Sequence, residues 1–389
     1  MESPRPTPNR VVLTLVCIVL AVLLLADFAS VQANRIVPGQ GLGLFKALGS
    51  VWTTSLIACL LAIAALAWRP NPLRYRVMLA LVVLLLCQLP LSLAWFIHLH
   101  IADDQPYARA GIAAGGWTLL FIGSLLLIEC RQRMQPAPFW WRAAPLGLVL
   151  ISAWLIYSGD LAALSLLREY SSRRSEFWQA LAGHLSLVGG ALLGSLIIGL
   201  LLAWLTLRVP RLQRPIFGLL NFFQTIPSLA LFGLLIAPLS YLANKYPVLQ
   251  ELGIHGIGWA PAIIALVAYS LLPVVRNTSV ALSGVAPAVI ESAHGMGMSS
   301  WQVLRQVRVP LALPVIIEGI RITTIQAIGL VAVAALIGAS GFGSFIFQGL
   351  GQGAMDLVLL GALPTIFLAL LADALFSALA RHCQPGVRA

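Results

Sequence analysis

The sequence predicts an all-α, polytopic membrane protein with about ten transmembrane helices, and three observations predict it. First, 60% of the 389 residues are hydrophobic and only 10% are charged, whereas a water-soluble domain carries about 25% charged residues. Second, the apolar residues gather into runs of about 20, the length a helix needs to cross the hydrocarbon core. Third, the formal net charge of +11 is spread between the runs rather than collected in one basic domain. Such punctuation is the pattern of loops held at the cytoplasmic face and argues against nucleic acid as a partner.

The first five runs lie near residues 11–29, 47–68, 77–97, 112–128 and 143–159. The second five lie near 185–207, 216–239, 259–282, 311–339 and 356–380. The first run reads as an uncleaved anchor, being longer than the apolar core of about 7–15 residues in a signal peptide, although Val31-Gln32-Ala33 resembles a cleavage site. Helix breakers at Asn71-Pro72 and at 136–138 fall in loops, where they belong. With both termini cytoplasmic, inner loops hold about two Arg or Lys for each one outside. The outer segment 168–174 is the exception, its arginines partly offset by Glu169 and Glu176. Around it, Leu167, Tyr170, Phe177, Trp178 and Leu181 suit either one interfacial helix face or a plain connecting loop. The expected divisions are a five-helix region at 1–160, a connector at 161–182 and a second five-helix region at 183–389.

Several chemistries are excluded. Cys17, Cys59, Cys87, Cys130 and Cys383 show neither zinc-site nor disulfide spacing. The six histidines are scattered, with no carboxylate at metal-site spacing, so no metal site and no catalytic constellation is expected. A phosphate-binding loop needs Gly-Lys-Ser/Thr, yet the only lysines follow Phe45 and Asn244. Gly338, Gly341 and Gly343 follow a membrane helix rather than a strand, so they are no dinucleotide fingerprint.

The informative segment is the loop at 285–310, VAPAVIESAHGMGMSSWQVLRQVRVP. Pro287 suits the first turn of a short helix ending at Gly295 and Gly297. Ser299 and Gln302 make a capping box for a second short helix that should stop near Pro310. Val303, Leu304 and Val307 share a face of it, an apolar stripe that asks for a partner to bury it.

This loop resembles the signature loop of ABC importer permeases, matched by Glu291, Ser292, Ala293, Gly297, Val307, Val309 and Pro310. Ser292 departs from the family's usual Ala, and His294 stands where a basic residue is frequent. The stretches FFQTIPSLA (222–230), LPVVRNT (272–278) and IGASGFG (337–343), with Gly319-Ile320-Arg321 and Leu371-Ala372-Asp373, are similar to the glycine betaine/carnitine/choline permeases. The likeness spans roughly 180–380, and an N-terminal extension of this kind is similar to the long Yeh-type permeases.

That resemblance implies a type I (MetI-like) importer core in the C-terminal half. The implied function is a plasma (inner) membrane permease subunit moving a small osmoprotectant such as glycine betaine. ATP and Mg would sit on a cytoplasmic ATPase dimer, onto which Glu291 and Gly297 dock the loop. A second permease subunit, the same or different, and a periplasmic solute-binding protein are the other implied partners, besides membrane lipid. Another solute such as an amino acid, or an ion-coupled secondary transporter, are the alternative readings. The latter would show inverted repeats and broken helices in both halves, but polar interruptions occur in the second half only.

Polar groups at membrane depth persist where protein or a water-filled path surrounds them. Gln224, Thr225 and Ser228, beside Pro227, therefore either line a path or mark a kink. Glu318 and Arg321 are three apart and are expected to pair, with Arg321 a further pathway candidate. Asp27 and Asp373 read as reaching water near helix ends. Gly190 and Gly194 form a small-residue packing face.

Overall fold

In the computed structural model, residues 7–35, 37–102, 104–134 and 144–384 are described. The breaker stretch at 136–138 and Arg5, Arg142 and Arg388 of the charge count lie outside them. The chain forms two units, Met1–Ser172 and Arg173–Ala389. Eight described helices are long and apolar enough to span a membrane, and two shorter apolar helices start at Arg10 and Leu146. The chain is thus a polytopic membrane protein of about ten apolar helices.

The first unit holds α1 (Arg10–Leu25), α2 (Leu44–Trp68), α3 (Pro72–His100), α4 (Ala114–Gln132), α5 (Ala144–Ser158) and α6 (Ser165–Ser172). Asn9 opens α1 by accepting from the Val12 N–H, and Asn71 opens α3 by accepting from the Arg74 N–H. Each cap satisfies a donor that the first helical turn leaves orphaned. One face of α1 (Val12, Val16, Val19, Leu23) meets Leu60 and Ile63 of α2, Val82 of α3 and Leu126 of α4 in a single core.

A small antiparallel sheet, which the apolar runs do not announce, adds to the helices. Its strands are β1 (Asp27–Gln32), β2 (Gln40–Gly43) and β3 (Arg109–Ile112), in the order β2-β1-β3. The first run therefore ends as a helix at Leu25, and its last residues leave as strand with Phe28 and Ala29 buried. The first two residues of the triplet that resembles a cleavage site, Val31 and Gln32, end β1, with Val31 opposite Gln40 and Ala110. Asp27 begins β1 two residues after α1 ends and is exposed, so it does reach water near a helix end.

Beside the sheet, the buried Glu169 carboxylate takes Arg109 Nη1 at 2.5 Å and Arg35 Nε at 3.2 Å. Glu169 is only 2% exposed, and a carboxylate so buried persists because it is paired, here with arginines outside the segment 168–174. Burial, with Arg109 nearby, pushes the Arg168 guanidinium below its usual range, and Arg168 Nη1 donates to the Pro106 carbonyl at 2.6 Å.

The proposed single face through 167–181 does not form. Helix α6 ends at Ser172 and α7 (Arg174–Arg208) starts after Arg173, whose φ −123, ψ 28 lies outside helical geometry. Leu167 and Tyr170 thus belong to α6, and Phe177, Trp178 and Leu181 to α7. The helix α7 then runs 35 residues, beginning well before the apolar run at 185.

The second unit continues with α8 (Gln213–Thr225), α9 (Ser228–Lys245), α10 (Pro247–Glu251), α11 (Trp259–Ser283), α12 (Pro287–Gly295), α13 (Ser300–Gln302), α14 (Val309–Ala334), α15 (Gly343–Gln352) and α16 (Met355–His382). Helix α11 is central, flanked by α7 and α14, and α16 packs on α14 and α15. Gly190 and Gly194 let α7 approach Ile263 and Val267 of α11, and a Cβ at Gly199 would fall 2.6 Å from Val274. The run at 216–239 is not one helix but two, parted at Ile226-Pro227.

Candidate functional site

The loop between α11 and α14 builds a helix–elbow–helix. Pro287, at the start of α12, has no N–H to leave unsatisfied and its φ suits a first turn. The elbow turns at Gly297, whose φ of +82° excludes most side chains. Around it Met298 N–H donates to the Ala293 carbonyl at 3.2 Å and Gly297 N–H to the His294 carbonyl at 2.9 Å. The capping box is present: Ser299 N–H donates to Gln302 Oε1 at 2.8 Å, and Ser299 Oγ accepts from Gln302 N–H at 3.4 Å.

Two expectations for this loop are corrected. The helix does not stop near Pro310. It runs from Ser300 to Ile337 as one 38-residue path, through a π-helical segment, Val303–Arg308, that leads into α14. Proline lacks an N–H and crowds the carbonyl four residues back, and the wider turn accommodates it without ending the helix. The apolar stripe is also not left for a partner. Val303 is 2% exposed, and Leu304 packs against Ala281, Leu282 and Ala312. Continuity with α14 rotates that stripe into the bundle. Val307 is half-buried with it, and Pro310 is exposed.

The opposite face is the open one. Glu291 and Ser292 are exposed while Ala293 is buried. Ser292 Oγ donates to the Ala288 carbonyl at 2.8 Å, so the hydroxyl is spent within its own helix. Met296 (76%) and Trp301 (60%) are the large apolar side chains most exposed on this loop. Sequence reasoning passed over both. The available signal was two large apolar residues flanking the glycine turn in a loop otherwise polar.

The membrane-depth candidates do not come together. The Gln224 amide donates to the Tyr269 carbonyl at 2.7 Å and the Tyr269 hydroxyl donates to the Ile226 carbonyl, so Gln224 serves the kink between α8 and α9. Thr225 is exposed and donates to the Phe222 carbonyl at 2.8 Å. Ser228, half-exposed, opens α9. Arg321 Nε lies 3.1 Å from Glu318 and 3.5 Å from Asp373, and Nη1 donates to Ser377 Oγ at 2.6 Å. The expected Glu318–Arg321 pair forms. Asp373 is not at a helix end: it sits inside α16 as the second partner of Arg321. Among the described residues no three His, Cys, Asp or Glu side chains gather as a metal site.

Comparison with known proteins accounts for both units. The family described as "Binding-protein-dependent transport system inner membrane component" matches residues 195–388. A second, "ABC transporter permease YehY, N-terminal domain", matches residues 9–167. The osmoprotectant import permease protein OsmW of Salmonella typhimurium is 42% identical over 206 residues, 53% of this chain and 91% of that protein. The glycine betaine/carnitine/choline permease OpuCB of Bacillus subtilis is 38% identical over 170 residues, 44% of this chain and 71% of that one. Among solved structures, the inward-facing MetNI methionine ABC transporter aligns with a TM-score of 0.47 at 22% identity, covering 55% of this chain and 98% of that chain. With its multi-pass helices and these matches, the chain belongs to the family of inner-membrane components of binding-protein-dependent transport systems, as a translocating permease subunit rather than an enzyme.

Proposed function

We propose that this permease imports a small osmoprotectant such as glycine betaine, driven by ATP hydrolysis on a separate cytoplasmic ATPase dimer that holds the Mg. The observation that carries the coupling half of this reading is the elbow. Its inner stripe is packed against the bundle through Val303 and Leu304, while Glu291, Met296 and Trp301 stand outward around a glycine turn. A segment anchored on one side and apolar on the other passes a partner's movement to α14, which is continuous with it. The solute half rests on the relatives, whose names state osmoprotectant import, carnitine transport and glycine betaine/carnitine/choline transport.

In this reading residues 183–389 are the importer core, 161–182 the connector and 1–160 an added membrane region. Both termini are cytoplasmic in the inner membrane, a periplasmic binding protein delivers the solute, and a second permease completes the path. Thr225 and Ser228 at the α8–α9 break, with Arg321, are the side chains we assign to that path.

Tagged wild type and Glu291→Arg, purified in mild detergent, test the coupling. An ATPase subunit should come down with wild type and be lost from the variant, and its absence from both overturns the reading. Uptake of labelled glycine betaine into cells expressing the whole operon, challenged with unlabelled carnitine, choline and amino acids, tests the solute. Competition by amino acids alone overturns the osmoprotectant assignment.

A further inference from the structure

A basic cavity lies at the foot of the elbow. It measures about 240 Å³, and its lining includes Trp204 and Arg208 from α7, His294 from α12, Ser300 from α13 and Arg308 from the π-helical segment. No carboxylate lines it, and among the described residues neither Arg208 nor Arg308 has a carboxylate partner. Arg208 instead lies over Trp204, its Cζ 5.5 Å from the ring centroid. Two guanidinium groups and a hydroxyl in a lining without a carboxylate form a donor set for phosphate oxygens, the His294 Nδ1–H being taken by the Met298 carbonyl. The volume is below the roughly 300–1,000 Å³ of pockets that enclose whole small ligands, and suits one head group.

What leads to this cavity decides the source of the phosphate. Leu193, Ile197, Leu200 and Trp204 are exposed on α7. At spacings of four, three and four they form a single face. This apolar strip runs along a membrane-spanning helix and ends, one turn after Trp204, at Arg208. Aromatic residues followed by arginine mark the boundary between hydrocarbon and head groups. An apolar strip opening onto a phosphate-sized basic cavity has the two-part chemistry of a phospholipid, and a free anion would leave the strip unused.

We propose that this cavity seats the phosphate of an anionic phospholipid whose acyl chains lie on the Leu193–Ile197–Leu200 strip of α7. Because its walls come from α7, α12, α13 and the π-helical segment, the bound lipid ties the elbow to α7. The inference needs only the membrane setting and goes beyond the transport reading, so it stands whichever solute is carried.

The test is native mass spectrometry of the full chain in detergent, titrated with phosphatidylglycerol or phosphatidylcholine of matched acyl chains. Wild type should retain one phosphatidylglycerol in preference to phosphatidylcholine. Each arginine replaced, Arg208→Gln or Arg308→Gln, should weaken retention about fivefold, the effect of one basic residue near an anionic surface. Arg211→Gln with Arg214→Gln, arginines that do not line the cavity, should leave it unchanged. Equal retention of the two lipids by wild type overturns the proposal without any variant, so misfolding of a variant cannot shelter it. Displacement of phosphatidylglycerol by millimolar inorganic phosphate or glycerol phosphate also overturns it, by making the site one for a soluble anion.

Discussion

Gln224 and Tyr269 exchange support across two broken helices: the Gln224 amide donates to the Tyr269 carbonyl at 2.7 Å, and the Tyr269 hydroxyl returns a bond to the Ile226 carbonyl. Both carbonyls lack a helical donor, the first because of a proline and the second because its helix ends there. In α11 the residue four after Tyr269 is Pro273, which has no N–H to give. Ile226 ends α8 immediately before Pro227, so its carbonyl also lacks a helical donor. At membrane depth no water replaces these donors, and each unsatisfied group is costly. One glutamine and one tyrosine, neither informative alone, thereby hold the α8–α9 break against α11.

From this follows the first prediction. Gln224→Leu leaves the Tyr269 carbonyl without a donor and should destabilise the folded chain by about 1–3 kcal/mol. Tyr269→Phe should do the same through Ile226. Thermal unfolding in detergent, followed by tryptophan fluorescence, should show both losses. A Gln224→Leu chain of unchanged stability but abolished uptake would instead make Gln224 a solute contact.

The second prediction concerns the seam between α7 and α11. A Cβ at Gly199 would lie 3.2 Å from Val274 Cβ and 2.6 Å from its Cγ1, the latter closer than real side chains approach. Gly199→Leu should force the helices apart and cost about 1–3 kcal/mol or more, the usual range for overpacking. Gly189→Leu on the same helix meets nothing within 4 Å and should be nearly neutral. The difference in unfolding temperature between the two checks the contact.

The parts of this protein that could be read in advance are those governed by local chemistry. Run lengths gave the helices, Ser299 with Gln302 gave the cap, and Glu318 with Arg321 gave an i,i+3 pair. What stayed hidden depends on residues far apart in the chain. Asp373 lies 52 positions after Arg321, and nothing in its neighbours Ala372 and Ala374 announces the contact. The third strand of the sheet hides for the same reason, β3 being separated from β1 and β2 by α2 and α3. The inward turn of Val303 and Leu304 was missed because Pro310 reads as a stop, whereas a π-helical segment carries the helix through it.

The Arg321 cluster supports a third prediction. Arg321 is shared by Glu318 and Asp373, so removing it exposes two carboxylates to each other in a membrane helix pair, while removing Asp373 leaves a one-to-one pair. Arg321→Ala should therefore lower stability by about 3 kcal/mol, and Asp373→Asn by about 1 kcal/mol or less. The double variant Arg321→Ala/Asp373→Asn should recover part of the loss, because it removes one of the stranded charges. A double-mutant cycle on the unfolding midpoint measures that coupling, and simple additivity would show that the two side chains act independently.

The elbow yields the sharpest separation of roles, because its two faces predict opposite phenotypes. Val303 is almost fully enclosed. Val303→Asp places a carboxylate in the bundle core and should cost several kcal/mol, seen as loss of folded chain. Trp301 stands out on the other face, and Trp301→Ala removes exposed apolar surface without touching the core. It should leave the unfolding midpoint within about 0.5 kcal/mol of wild type. Large aromatic residues dominate interface energetics, so the same change should weaken capture of the ATPase subunit by tenfold or more. Co-purification measured beside thermal unfolding distinguishes the two faces. If Trp301→Ala instead destabilised the isolated chain while keeping its partner, the exposed face would be structural, and coupling would have to run through Glu291 and Met296 alone.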